Sequence, residues 1–157
     1  MRLISMAAGL AAAVSAGPAF GAPVIFGSHY EDFAQDSCTA SCQVYFGAIP
    51  SGKLLIITNV ACSMISPGPI IGMNIAALSG PASGVMRLAA LQAGPSTLVD
   101  QAYYTSINQP TNFSLGGGRY PRVAFGVLTS GYSSLTCQIS GVLFPNPGPG
   151  PTPAELN

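Results

Sequence analysis

Tryptophan is absent from this 157-residue chain, histidine occurs once, and charged residues make up only 6% of it. An average globular chain is about 25% charged, so the surface must be built from Ser, Thr, Asn, Gln, Gly, Tyr and exposed apolar atoms. Outside the extreme N-terminus the cations are Lys53, Arg87, Arg119 and Arg122, and the anions are Glu31, Asp32, Asp36, Asp100 and Glu155. So few cations cannot assemble a basic patch, which excludes nucleic acid and anionic lipid as partners. The lack of tryptophan argues against a sugar-stacking module, although tyrosine can also stack. No run reaches the roughly 18 apolar residues that a membrane-spanning helix needs. With His29 the sole imidazole, a Ser-His-Asp triad has one candidate base, and no G-x-S-x-G elbow accompanies it.

What is present begins with a leader. Met1 and Arg2 form a short positive region, an alanine-rich apolar run extends to Ala16, and small residues follow in "SAGPAFGAP". That order is the pattern of a secretory signal peptide over residues 1–22, with cleavage between 16 and 22. No cysteine stands at the junction, so the product is not expected to be a lipoprotein. At the other end, "PNPGPGPTPAELN" alternates proline with small residues, which predicts an extended tail over 146–157. Residues 23–145 remain as a single domain, expected in the periplasm or outside the cell, with no membrane span. Net charge near zero with little charge of either sign also favours self-association into a homo-oligomer.

The whole chain has 19 glycines and 14 prolines, and within this domain turn signals recur about every eight to twelve residues. Between them lie runs rich in Val, Ile, Leu, Phe, Tyr and Thr, a rhythm that predicts an all-β protein. The expected strands cover 42–49, 53–65, 69–78, 84–92, 97–107, 111–115, 122–129 and 134–144, although Ala and Leu in 84–92 also suit a helical turn. About eight strands of this length imply an antiparallel two-sheet sandwich, jelly-roll-like. Alternation assigns Leu54, Ile56, Val60, Cys62 and Met64 to one inward face. Leu135, Cys137, Ile139 and Leu143 form another, and Val123, Phe125 and Val127 a third, opposite Arg122. "SLGGGRYPR" lacks the G-K-[ST] ending of a phosphate loop and reads as a tight hairpin.

The 4 cysteines of an exported chain predict disulfides. Cys62 and Cys137 both fall on inward faces and are able to meet in the core, leaving Cys38 and Cys42 to close a small loop. Cys42 shares the parity of Val44 and Phe46, so pairing with Cys62 or Cys137 stays open.

Chemistry-bearing residues concentrate in "HYEDFAQDSCTASC", residues 29–42. Read as a polar arm before the first core strand, it offers Glu31, Asp32 and Asp36 as oxygen ligands for calcium, and Cys38, Cys42 and His29 for zinc. The acidic spacing is not that of an EF-hand loop, and export oxidises thiols, so no metal or cofactor is expected. Asp100 has no carboxylate placed near it for glycoside hydrolysis. Tyr103, Tyr104, Arg119, Tyr120 and Arg122 are candidates for an amphipathic binding patch, since Tyr and Arg are favoured anchors at interfaces. The bland alternative is half-buried tyrosines with arginines that keep a turn soluble.

"AIPSGKLLIITNVACSM" (48–64) resembles the V-P-A-G-K-x-L-x-I strand entry of small exported bacterial proteins of uncharacterised function. A similar entry occurs in phage tail and fibre β domains. The resemblance implies a β-sandwich and supplies no catalytic residues; Ile49 and Ser51 depart from its pattern. Together these readings describe an exported, non-catalytic binding or structural module of the bacterial envelope or exterior, whose partner is an unknown protein or surface ligand. The alternative is a small secreted hydrolase or metal-dependent enzyme that uses the 29–42 arm.

Overall fold

The computed structural model describes residues 22–146, so the leader and nearly all of the tail lie outside the described residues. The described chain contains ten strands: β1 (Val24–Phe26), β2 (His29–Cys38), β3 (Cys42–Tyr45), β4 (Lys53–Ser66), β5 (Ile70–Gly80), β6 (Ser83–Leu91), β7 (Ser96–Val99), β8 (Ala102–Gly116), β9 (Tyr120–Val127) and β10 (Ser133–Pro145). They form two antiparallel sheets, in the orders β1-β2-β10-β4-β8-β7 and β3-β9-β5-β6. Setting aside the short edge strands β1 and β7, this is the jelly-roll order. The chain changes sheet at every connection from β2 to β10 except the β5–β6 and β7–β8 hairpins.

The core fills the space between the sheets with alternate residues of each strand. Tyr30, Leu55, Ile57, Val60, Met64, Phe113, Leu115, Leu135 and Ile139 come from the six-stranded sheet, and Val44, Met73, Ile75, Val123 and Phe125 from the four-stranded one. Alternation is right for β9 and β10, but β4 changes phase. Leu55 and Ile57 are fully buried, whereas Leu54 and Ile56, expected inside, are only half-buried. The cause is a bulge: Ile57 and Asn59 pair with the adjacent Gly141 and Ser140 of β10, leaving Thr58 as an extra residue, and the pairing with β8 shifts at the same point. One added residue reverses every side chain on one side of it. Gly141 faces this bulge, where a Cβ would lie 2.2 Å from the Ile56 carbonyl oxygen, so no larger residue fits.

Other expectations change as well. The segment 29–38 is no loose arm but a ten-residue strand between β1 and β10. Its pattern was masked because the inward positions carry Tyr30, Asp32 and Ala34 while Phe33 points outward, 50% exposed. Residues 83–91 form the strand expected over 84–92, at the sheet edge beside β5, and not the alternative helical turn. The expected strand 97–107 breaks at Asp100 and Gln101, both left-handed, which make the two-residue hairpin between β7 and β8. Beyond it β8 runs on through Pro110, joining what read as separate strands. The glycines of "SLGGGRYPR" do turn the chain, but from β8 in one sheet to β9 in the other, so the turn is no hairpin.

Pro50–Lys53 form a tight turn into β4: the Lys53 N–H donates to the Pro50 carbonyl at 3.2 Å, and Gly52 adopts a positive φ of 69°. Gly117 packs on it so closely that a Cβ would meet the Pro50 oxygen at 2.8 Å.

Candidate functional site

Two disulfides organise the ends of the chemically richest stretch and the centre of the core. Cys38 at the end of β2 bonds Cys42 at the start of β3, clipping one sheet to the other at the first crossover. Cys62 bonds Cys137, its direct cross-strand partner on β10, and both are buried.

Alternation along β2 separates the proposed metal ligands. His29 and Glu31 face outward and contact each other at 3.1 Å, both half-exposed. Asp32 faces inward and is 3% exposed. Asp36 lies exposed further along and binds only the next N–H, that of Ser37. Zinc ligation by Cys38 and Cys42 is foreclosed by their disulfide. Among the described residues no three His, Cys, Asp or Glu side chains converge to hold a metal.

Asp32 is the most unusual group in the stretch, a carboxylate inside a sandwich. Its Oδ2 accepts from the Gly47 N–H at 2.8 Å and from the Tyr30 hydroxyl at 3.2 Å, while its Oδ1 accepts from the Phe33 N–H at 2.8 Å. Burial raises its pKa above the ordinary carboxylate range, and the three donors oppose that rise without cancelling it. Tyr30 is fully buried, and its hydroxyl is driven well above the ordinary phenol range by burial first and then by the neighbouring carboxylate. Gly47 belongs to the stretch that runs beside β9: Phe46 donates to the Pro121 carbonyl at 3.0 Å and Ile49 to that of Arg119 at 2.9 Å. Asp32 therefore braces the β3–β4 connection against β2. Sequence reasoning missed its partners, because nothing in the spacing of Tyr30 or Gly47 marks them.

The five residues of the expected Tyr/Arg patch do not meet. Tyr103 and Tyr104 stand at the start of β8 beside β7, opposite Leu98 and Thr97. Arg119, Tyr120 and Arg122 lie past the far end of β8, at about 3.3 Å per residue some 40 Å further along. Of these, Arg119 stands in the turn before β9, while Tyr120 and Arg122 lie on the outer face of the four-stranded sheet. Tyr45, Arg122 and Ala76 align across three strands there, and Tyr120 lies opposite Leu78. Arg122 donates to Asn74 Oδ1 at 3.2 Å and Gln43 Oε1 at 3.4 Å, while its Nε is buried without a partner. Tyr45 was missed by the sequence reading.

A shallow hollow of about 400 Å³ lies where residues 92–95 cross Ser106–Pro110. It is lined by backbone, amides and small side chains, with no titratable group. No helix among the described residues is long and apolar enough to cross a membrane. Comparison with known protein families, curated proteins and solved structures returned no match for this chain.

Proposed function

We propose that the chain is an exported, non-catalytic binding or structural module of the bacterial envelope or exterior. The observation that carries this reading is where its apolar surface lies. Large apolar side chains stay exposed on the sheet edges: Val24, Ile25 and Phe26 on β1, Val85, Met86 and Leu88 on β6, and Leu98 and Val99 on β7. Apolar side chains exposed along strand edges suit a protein that engages others through those edges. Charge, by contrast, is scarce. The leader-like N-terminus and the two disulfides support export to an oxidising compartment. The resemblance around the Pro50–Lys53 turn points the same way.

The test has two arms. Intact mass of protein recovered from the periplasm and medium of a bacterial host should show a trimmed N-terminus and four oxidised thiols. Full-length, reduced protein confined to the cytoplasm would overturn export. A photo-reactive residue at Tyr45 or Phe26 should give discrete covalent adducts on intact cells, unchanged by His29→Ala or Asp36→Asn. Adducts that disappear with those changes would favour a role for the 29–42 stretch instead.

A further inference from the structure

Strand edges expose unpaired backbone donors and acceptors, and proteins that stay single guard them with shortness, charge or proline. Three of the four sheet edges here are short: β1 has 3 residues, β3 has 4 and β7 has 4. The fourth is β6, with 9 residues, and no described strand pairs its outer side. It contains no proline and no acid. Val85, Met86 and Leu88 are each more than half exposed along it.

Its one charge is Arg87, and that charge does not guard the edge. The guanidinium reaches across the open side of the sandwich to donate to Ser114 Oγ at 2.8 Å, and it sits 5.0 Å from the centre of the Phe113 ring. Both partners belong to β8 in the opposite sheet. The pairing of β5 with β6 shifts between Ala77 and Leu78, with Met86 the extra residue, so Arg87–Leu91 is the regular stretch. The residue that would repel another strand is thus committed elsewhere, along the stretch best shaped for pairing.

We propose that β6 is a self-association edge that joins two copies of the chain antiparallel about a two-fold axis. This rests on the binding-or-structural-module reading and names the partner. A second copy fits because, with the leader removed, four cations stand against five anions in a chain only 6% charged, so approach of like to like meets little net repulsion. A two-fold axis at Ala89 sets Leu88 against Ala90 of the other copy and Arg87 against Leu91, with no like charges opposed. The contact is isologous and closes at two copies, extending each four-stranded sheet into its neighbour.

Sedimentation and light scattering of the processed, oxidised protein over about 1–100 µM, spanning the usual range for transient pairing, test the proposal. A concentration-dependent dimer is expected. Leu88→Lys should weaken it about tenfold or more by placing a charge on the edge, while Ile25→Lys on β1 leaves it unchanged. Hydrogen exchange of the wild type gives an independent readout: amides of 86–91 should gain protection as concentration rises. A monomer throughout the range, or a dimer whose β6 amides gain no protection, overturns the inference. Either result leaves the module reading standing, since that fails only if export or surface adducts fail.

Discussion

The two sheets of this sandwich are held by different means. The larger rests on long strands in its middle: β4, β8 and β10 have 14, 15 and 13 residues, with Cys62–Cys137 cross-linking two of them in the buried layer. The smaller has shorter strands and an exposed long edge, and it is tied to the first at its margins. Cys38–Cys42 clips one corner, Asp32 braces the connection beside it, and Arg87 reaches over from the other side. The difference teaches where order originates. Both share the core, but one sheet is cross-linked within itself and the other through its attachments.

The sharpest way to break that contrast is to remove the interior cross-link. Cys62→Ala with Cys137→Ala opens a loop of 75 positions and should cost about 4–5 kcal/mol on the chain-entropy account, read from urea unfolding. Gly141→Ala should follow at roughly 3 kcal/mol, because its methyl group meets the Ile56 carbonyl inside the larger sheet. Replacing Cys38 and Cys42 by serine should cost only about 2 kcal/mol, since the loop spans 4 positions. If the corner pair proves costlier than the core pair, the account of the two sheets is reversed.

The smallest expected effect concerns pH. Asp32 has a raised pKa in the folded state, so the native protein binds a proton at a higher pH than the unfolded chain does. Its contribution to stability therefore grows as pH falls through the folded value, levels off below the ordinary value of 3.8, and is lost as pH rises. The difference in urea midpoint between wild type and Asp32→Asn, followed from neutral pH downward, should move in the wild type's favour on acidification. Movement in the opposite sense would mean that the three donors outweigh burial.

Much of the architecture could be read from the residues. Turn spacing and β-branched runs gave an all-β jelly-roll-like sandwich, and inward parity brought Cys62 to Cys137. What escaped was decided by tertiary context. β2 was obscured because a buried acid stands where an apolar residue is expected, and one of its three hydrogen-bond donors, the Gly47 N–H, comes from fifteen positions away. The bulge at Thr58 leaves no composition signal of its own; it shows only as the glycine opposite, far off in sequence. The Tyr and Arg residues read as one patch are split because Tyr103 and Tyr104 open the fifteen-residue β8 while Arg119, Tyr120 and Arg122 lie beyond its far end. Arg122 and Tyr120 found company in Tyr45, on a strand that only the jelly-roll crossing brings alongside.

The corner disulfide also bears on how the chain reaches its native state. Closing a loop costs more entropy the longer it is, so thiols 4 positions apart meet far more often in an unfolded chain than thiols 75 apart. Oxidation of the unfolded chain therefore favours Cys38–Cys42 first. Once that pair is spent, Cys62 and Cys137 have only each other, and neither mispaired isomer can form without reopening it. The least stabilising bond in the molecule thus acts as its proofreader.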